Sequence, residues 1–185
     1  MAVLPIYTDG SPVLRQKAQP LTKITDATIQ FILDMFETMR KANGIGLAAN
    51  QVGVLQRIIV VDISEVEGYE EMKPAAYINP KVIAERDKLV MEEGCLSVPN
   101  IRDEVERAET ILLRYRDSNF KIVETELSGL PARVVLHEID HLDGILFVDR
   151  LSPDKKEAHM EELRKIRIGE VDVDYPVVTA PNAAV

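Results

Sequence analysis

The 185-residue chain has the length of one domain, because a single hydrophobic core commonly organises about 100 to 200 residues. Hydrophobic residues make up 46% and charged residues 29% of the sequence, which is enough apolar material for a buried core. The 22 Lys and Arg residues against 31 Asp and Glu residues give a formal charge of −9, so binding to DNA or another phosphate backbone is not expected.

Hydropathy and cysteine usage both bear on the compartment. The N-terminus lacks a basic start followed by a long apolar run, and no stretch approaches the roughly 20 apolar residues that cross a bilayer. The single cysteine, Cys95, excludes an intramolecular disulfide and fits a reducing environment. We therefore expect a cytoplasmic location and no membrane partner.

The first third of the chain predicts two helices. Ser11 can cap a short one, with Pro12 at the first helical position, where its missing N–H costs nothing. Thr25 can cap the second helix, in which apolar residues recur at helical spacing from Ile29 until Gly44 ends the pattern. This second pattern predicts an amphipathic helix with one buried face.

The middle of the chain changes to short β-branched segments separated by turn residues, which is typical of antiparallel strands. The predicted strands are residues 57–63, 75–79, 88–93, 101–108, 110–117 and 120–127. After Gly129 the helical pattern returns, with Pro131 in the first turn, and it runs to Gly144. A last helix is predicted from about Ser152 to Ile168.

Strands gathered between helices indicate an α+β fold rather than alternating β-α-β units. We expect antiparallel β-sheets packed around the central helix that follows Gly129, with a C-terminal helix after them. Residues 1–169 are predicted to form a single catalytic domain, and residues 170–185 a flexible C-terminal tail.

The central predicted helix carries the sequence HEIDH at residues 137–141. His137 and His141 are four residues apart, which places both rings on one helix face, about 6 Å apart along the axis and within reach of one metal ion. Glu138 projects to a neighbouring face, where it could act as general base toward a metal-bound water. Since only three positions of the pattern are fixed, a chance match on a surface helix is the alternative interpretation.

Two histidines leave a tetrahedral metal short of a third protein ligand. Phe147 stands where metzincins have a third histidine, which excludes that class. Glu161 lies at the distance of the third ligand in thermolysin-like enzymes, although a solvated helix face is its simpler role. Cys95, beside Gly94 at the end of a predicted strand, is the better candidate, with buried filler as the alternative for this thiol. With both histidines it would leave a fourth position for water, as hydrolysis requires.

Three separated segments resemble the motifs of the peptide deformylase family, in its order and at its usual separations. They are GIGLAANQ at residues 44–51, EGCLS at 93–97 and HEIDH at 137–141, and the similarity covers nearly all the chain except the tail. The resemblance implies a metal-dependent amidase that hydrolyses the formyl group from the N-terminal formyl-methionine of newly made polypeptides and releases formate. A zincin-type metallopeptidase with Glu161 as a ligand is the alternative.

The resemblance also implies roles for individual residues. The metal ligands would be Cys95, His137 and His141. Glu138 would act first as general base and then as general acid, while Gln51 and the backbone N–H of Leu96 would stabilise the oxyanion. The cation would be Fe²⁺, which Zn²⁺, Ni²⁺ or Co²⁺ could replace, since a thiolate with two imidazoles suits several transition metals.

The same resemblance places the substrate methionine in an apolar slot beside the metal. The residues expected at this slot and along the bound peptide are Gly44, Ile45, Gly46, Glu93, Gly94, Arg102, Leu130 and Val134. Core packing is the alternative for Leu130 and Val134, and a surface salt bridge for Arg102. His159 is expected on the surface of the last helix. The basic end of that helix either complements the helix dipole, as we prefer, or makes a transient contact with the ribosome.

Overall fold

The structure is a computed structural model that describes residues 1–180 of the chain. Its strands are β1 (Ile6–Tyr7), β2 (Gly46–Ala48), β3 (Ile58–Val61), β4 (Ala75–Arg86), β5 (Leu89–Cys95), β6 (Val98–Arg107), β7 (Thr110–Arg116), β8 (Ile122–Ser128) and β9 (Val177–Val178). Its α-helices are α1 (Asp26–Lys41), α2 (Leu130–Leu142), α3 (Pro153–Ala158) and α4 (Met160–Arg167). Short 3-10 helices lie at Pro12–Arg15, Ala49–Val52 and Phe147–Arg150. Within residues 1–180, none of the helices has the length and apolar character needed to cross a membrane.

Antiparallel pairing dominates the sheets. Strands β2, β3, β4, β7 and β8 form a five-stranded sheet in that order, and β5 pairs with β6 as a separate hairpin. Helix α2 lies against β2, β3 and β8, so the larger sheet covers one side of this helix. Antiparallel sheets around a central helix, followed by C-terminal helices, confirm the predicted α+β fold.

Helix α2 is buried on nearly all sides, although it carries charged residues. Val135 and Leu142 are fully buried on it, and so is His141. Just after the helix, Gly144 adopts a φ of 78°, and a Cβ at this position would lie 2.7 Å from the backbone oxygen of Arg15. Only glycine fits both the positive φ and this close approach, and it closes the helix where the sequence predicts.

The predicted amphipathic helix after Thr25 is confirmed as α1. The Thr28 N–H donates to Thr25 Oγ1 at 3.2 Å, which satisfies a backbone donor of the first turn. Ile32, Met35 and Met39 are buried in a cluster that also contains residues of β3. Ile58 and Val60 of β3 belong to the cluster with α1, whereas Ile59 and Val61 belong to the cluster with α2. Since alternate residues of a strand face opposite sides of the sheet, the two helices pack on opposite faces of β3.

The last predicted helix, from Ser152 to Ile168, is wrong in its continuity, because α3 and α4 are separated at His159. The backbone of His159 has φ −94° and ψ 1°, and its Nε2 lies 2.9 Å from Asp103 Oδ2 on β6. Helical periodicity describes only neighbours along the chain, so it does not reveal that this residue contacts a distant strand.

Residues 170–180 run back across the N-terminus. Strand β9 pairs with β1 in parallel, with Ile6 beside Val177 and Tyr7 beside Val178. Composition predicts a flexible tail here, whereas the structure gives these residues defined contacts. Residues 181–185 of the predicted tail lie outside the described part of the chain, and the domain boundary and the flexibility of the tail stay predictions.

Candidate active site

Two parts of the fold bring three metal-ligating side chains together. Cys95 ends β5, while His137 and His141 lie on successive turns of α2. Their ligand atoms all lie within 4.8 Å of one another, and Cys95 Sγ is 3.1 Å from His141 Nε2. The two imidazole rings meet edge to face, with centroids 5.0 Å apart. The expected thiolate and imidazole donors therefore converge on one point.

The donor set fits a divalent transition metal. One sulfur and two imidazole nitrogens are the ligands that zinc and ferrous iron take in proteins, and three protein donors leave a position for solvent. The ring nitrogen Nδ1 of His137 lies 2.9 Å from Glu93 Oε2, so its Nε2 is the nitrogen left for a metal.

The carboxylate of Glu93 is buried, and side chains occupy both of its oxygens. Arg107 donates to it through Nε at 2.6 Å and Nη2 at 2.9 Å, and Arg133 Nη1 donates at 2.8 Å. Burial by itself would raise the pKa of Glu93, but the hydrogen bonds from His137 and Arg107 outweigh it and hold this pKa well below its usual range. The charged carboxylate of Glu93 accepts a hydrogen bond from the Nδ1–H of His137 and so fixes the tautomer of that ring.

A second buried carboxylate extends this ion-pair network. Asp140, within the HEIDH sequence, accepts from Arg107 Nη1 at 2.6 Å and from Arg150 Nη2 at 2.5 Å. Sequence reasoning missed Arg107, Arg133 and Arg150 because their partners are distant in the chain. The sign available in the sequence was the position of Arg107, a charged residue at the end of a strand in which apolar and polar residues alternate. In the structure its side chain is only 3% exposed.

Glu138 lies beside the metal-ligating group with a free carboxylate oxygen. Among the described residues its buried Oε2 has no hydrogen-bond partner, and burial raises the pKa of this carboxyl to about 7. A Cβ at Gly46 would lie 2.5 Å from Glu138 Oε1 and 2.7 Å from Val134 Cγ1. The glycine therefore makes room for a carboxyl group that can take up and return a proton near neutral pH.

The amide of Gln51 is held in one orientation. The Ala48 N–H donates to Gln51 Oε1 at 2.8 Å, while Gln51 Nε2 donates to Ser97 Oγ at 3.1 Å and lies 3.7 Å from Cys95 Sγ. The NH₂ group thus faces the metal-ligating group. The neighbouring Asn50, which the sequence left without a role, is fully buried and donates its side-chain N–H to the backbone carbonyl of His141.

A cavity of about 720 Å³ opens beside these groups. Its lining includes every residue expected at the substrate slot, namely Gly44, Ile45, Gly46, Glu93, Gly94, Arg102, Leu130 and Val134. The Arg102 side chain is exposed and pairs with Glu92 across the β5–β6 hairpin. The side chain of His159, expected on the surface, is 22% exposed and lies on the cavity wall. Contact of these residues with a substrate stays a prediction.

Glu161, the alternative third ligand, lies apart from this group. Its side chain is 63% exposed and pairs with Arg164 on α4. The other basic side chains at the end of α4 are also paired, Lys165 with Glu162 and Arg167 with Asp9. The geometry does not favour a metal site of the zincin type.

Comparison with known proteins decides the family. The family model for polypeptide deformylase matches residues 3–157. The chain belongs to the peptide deformylase family. A peptide deformylase of Chlorobaculum tepidum is 47% identical over 180 residues, which are 97% of this chain and 96% of the relative. This identity over nearly the full length of both chains confirms the resemblance that the three sequence motifs carried.

Solved peptide deformylases share the fold. One from Ehrlichia chaffeensis in complex with actinonin is 39% identical with a TM-score of 0.81, covering 89% of this chain and 98% of that one. One from Acinetobacter baumannii bound to Met-Ala-Ser is 38% identical with a TM-score of 0.77, covering 81% of this chain and 99% of that one. As a peptide deformylase, the chain is a metal-dependent hydrolase.

Proposed function

We propose that Cys95, His137 and His141 hold the metal with which this chain removes the formyl group from the N-terminal formyl-methionine of new polypeptides, releasing formate. Family membership supports the reaction. The observation that carries the site assignment is the convergence of one thiol and two imidazoles within 4.8 Å at the cavity that Glu138 also lines.

The donor atoms of the site suit several divalent metals. A divalent cation held there would make a water molecule more acidic and polarise the formyl carbonyl. We propose Fe²⁺ as the cation in the cell, while the sulfur and nitrogen donors also suit Zn²⁺, Ni²⁺ and Co²⁺.

The remaining chemistry falls to side chains of this protein. Glu138 takes the proton of the attacking water at its free oxygen and later delivers it to the departing amine nitrogen. A carboxyl with a pKa of about 7 holds and releases a proton with little cost at neutral pH. Gln51 Nε2 and the Leu96 N–H stabilise the negative charge on the formyl oxygen, and one such donor typically contributes about 2.7 to 4 kcal/mol to the transition state.

The cavity walls suit a methionine side chain followed by a peptide. Ile45, Leu130 and Val134 provide the apolar slot, and Arg102 is placed to contact the peptide backbone. We propose that the site accepts a formyl group, the smallest acyl group, and rejects the larger acetyl group; the close approach of the Gly46 backbone to Glu138, where a Cβ would lie 2.5 Å from Oε1, supports a narrow site.

The natural substrate is a nascent formyl-methionyl peptide, so we propose that the protein works in the cytoplasm. A transient ribosome contact through the basic end of α4 stays a prediction, since its three basic side chains are each paired with a carboxylate of this chain.

One set of variants tests the proposal. Protein purified without oxygen is given formyl-Met-Ala-Ser, its acetylated counterpart and a peptide with only internal amide bonds, and bound metal is measured in parallel. Formate release from the first peptide alone is expected. Cys95→Ser should lose metal, and Glu161→Ala, the matched control, should retain both metal and activity.

The role of Glu138 has its own readout. Glu138→Gln keeps the size of the side chain but not its basicity, so metal content should be unchanged while turnover falls by at least about 100-fold. Substantial turnover in Glu138→Gln would remove Glu138 from the mechanism, and metal loss in Glu161→Ala would restore the zincin interpretation.

A further inference from the structure

The last described part of the chain, residues 169–180, lies against the active site, and we call it the C-terminal segment. We propose that this segment is a wall of the peptide-binding groove, in which Tyr175 positions the turn that carries Leu96 and Val173 contacts the substrate beyond its formyl-methionine. The proposal rests on the proposed function, since it concerns how that same site holds its peptide.

The segment is fixed to the domain at both of its ends. Gly169 reverses the chain after α4 with a φ of 85°. Beyond it, the Ile6 N–H donates to the Pro176 carbonyl at 2.8 Å, and the Thr8 N–H donates to the Val178 carbonyl at 3.0 Å. Ala180 is 6% exposed. These contacts hold residues 173–175 at a defined place.

Tyr175 connects the segment to the turn between β5 and β6. Its hydroxyl donates to the backbone carbonyl of Leu96 at 2.9 Å, and its ring packs, partly buried, against a cluster that Leu96 also contacts. The next carbonyl, that of Ser97, accepts from the Asp9 N–H at 2.8 Å, just after β1. The paired β1 and β9 region therefore holds two consecutive carbonyls of the turn that presents Cys95 and the Leu96 N–H.

The segment also faces the space that a peptide would occupy. Val173 and Tyr175 line the same cavity as Cys95 and Glu138. The apolar slot assigned to methionine is built from α2 and residues 44–46, whereas the segment borders the β5–β6 turn. Its side chains are therefore placed for the part of the substrate that extends from the slot.

The segment lies outside the part of the chain that the family model describes. That match ends at residue 157. The family model therefore does not describe residues 169–180, although the relative from Chlorobaculum tepidum aligns over 97% of this chain.

Two substrates separate a role in the groove from a role in stability. The test measures kcat and KM with formyl-methionine amide, which ends at the methionine, and with formyl-Met-Ala-Ser, which extends past it. Val173→Ala is compared with Val171→Ala, a matched control in the same segment whose side chain packs against the cluster around Phe147. Tyr175→Phe removes the hydroxyl and keeps the ring.

For Val173→Ala we expect KM for the tripeptide to rise about threefold or more, with KM for the amide unchanged, because the substitution removes two methyl groups that the extended peptide would cover. Val171→Ala should alter neither KM. For Tyr175→Phe we expect kcat to fall about threefold to tenfold on both substrates at unchanged KM, the range for one lost hydrogen bond that orients the turn.

Equal changes for both substrates in Val173→Ala and Val171→Ala, accompanied by lower melting temperatures, would show that the segment only stabilises the fold and would overturn the proposal. An unchanged kcat in Tyr175→Phe would also overturn the positioning role. If the unaltered chain turned over neither substrate, the proposed reaction itself would be refuted. That measurement uses the unaltered chain, so its result is distinct from every result obtained with the segment variants.

Discussion

Replacing the buried Arg107 tests which contacts keep the proposed metal ligands in position. Arg107 donates three hydrogen bonds to the carboxylates of Glu93 and Asp140, and its side chain is 3% exposed. The variant Arg107→Met keeps most of the volume and removes the charge. It would leave two buried carboxylates less compensated, which usually costs about 3 to 5 kcal/mol.

The contacts that remain in the variant place the expected stability cost at the lower end of that range. Glu93 keeps Arg133 and His137, and Asp140 keeps Arg150, so neither carboxylate is left alone. We therefore expect a loss of about 3 kcal/mol in the free energy of unfolding, or about 6 to 12 °C in Tm for a domain of this size. Because Glu93 orients His137, metal affinity should fall about 10- to 100-fold as well.

Urea unfolding of the metal-loaded protein, followed by circular dichroism, measures the stability term, and competition with a chelator measures the metal affinity. The control is Arg86→Met, which breaks an exposed pair with Glu126 and should cost less than about 1 kcal/mol. A loss for Arg107→Met no larger than for Arg86→Met would refute the reasoning that the buried network supports the site.

Three further changes have defined outcomes. Gly46→Ala places a Cβ 2.5 Å from Glu138 Oε1, so kcat should fall by about 100-fold or more with metal content unchanged, as enzyme assays and metal analysis would show. Asn50→Ala removes one of the two donors to the carbonyl of His141, which keeps the Gly144 N–H at 3.0 Å, so the free energy of unfolding should fall by about 0.5 to 1.5 kcal/mol in urea titrations. Burial, and to a smaller extent the nearby Tyr115, raises the pKa of Tyr77 to about 12. The neutral phenol therefore contributes stability that is fully present below the unfolded pKa of about 10 and is lost as pH rises to about 12. Between about pH 9 and 12, the unaltered chain should therefore lose up to about 3 kcal/mol more stability than Tyr77→Phe, and equal losses would contradict this origin of the shift.

Features with a local physical cause could be predicted from the sequence. The cap at Thr25 and the helical spacing of Ile29, Ile32 and Met39 are properties of neighbouring residues, and α1 follows from them. The two histidines of α2 face one point because a helix repeats every 3.6 residues. The search for a third metal ligand selected Cys95, and the family resemblance added Gln51, which no spacing in the sequence singled out.

Features that depend on contacts between distant segments could not be predicted in this way. The pairing of Glu93 with Arg133 joins residues of β5 and α2, and no spacing rule connects them. The break between α3 and α4 falls at His159, whose side chain contacts Asp103 on β6, and the C-terminal segment pairs with β1. In each case the sequence pattern near the residue is compatible with a different structure.

The ion-pair network connects the three motifs to residues that lie outside them. Glu93 lies two residues before Cys95, so one short stretch of β5 carries one proposed metal ligand and orients another, His137, through a hydrogen bond to its Nδ1. Asp140, next to His141 in α2, binds the same Arg107 and also Arg150, and both arginines lie outside every motif. A chain could therefore retain all three motifs and still bind its metal more weakly, if an apolar residue replaced Arg107 and removed the common partner of the two carboxylates beside the proposed ligands.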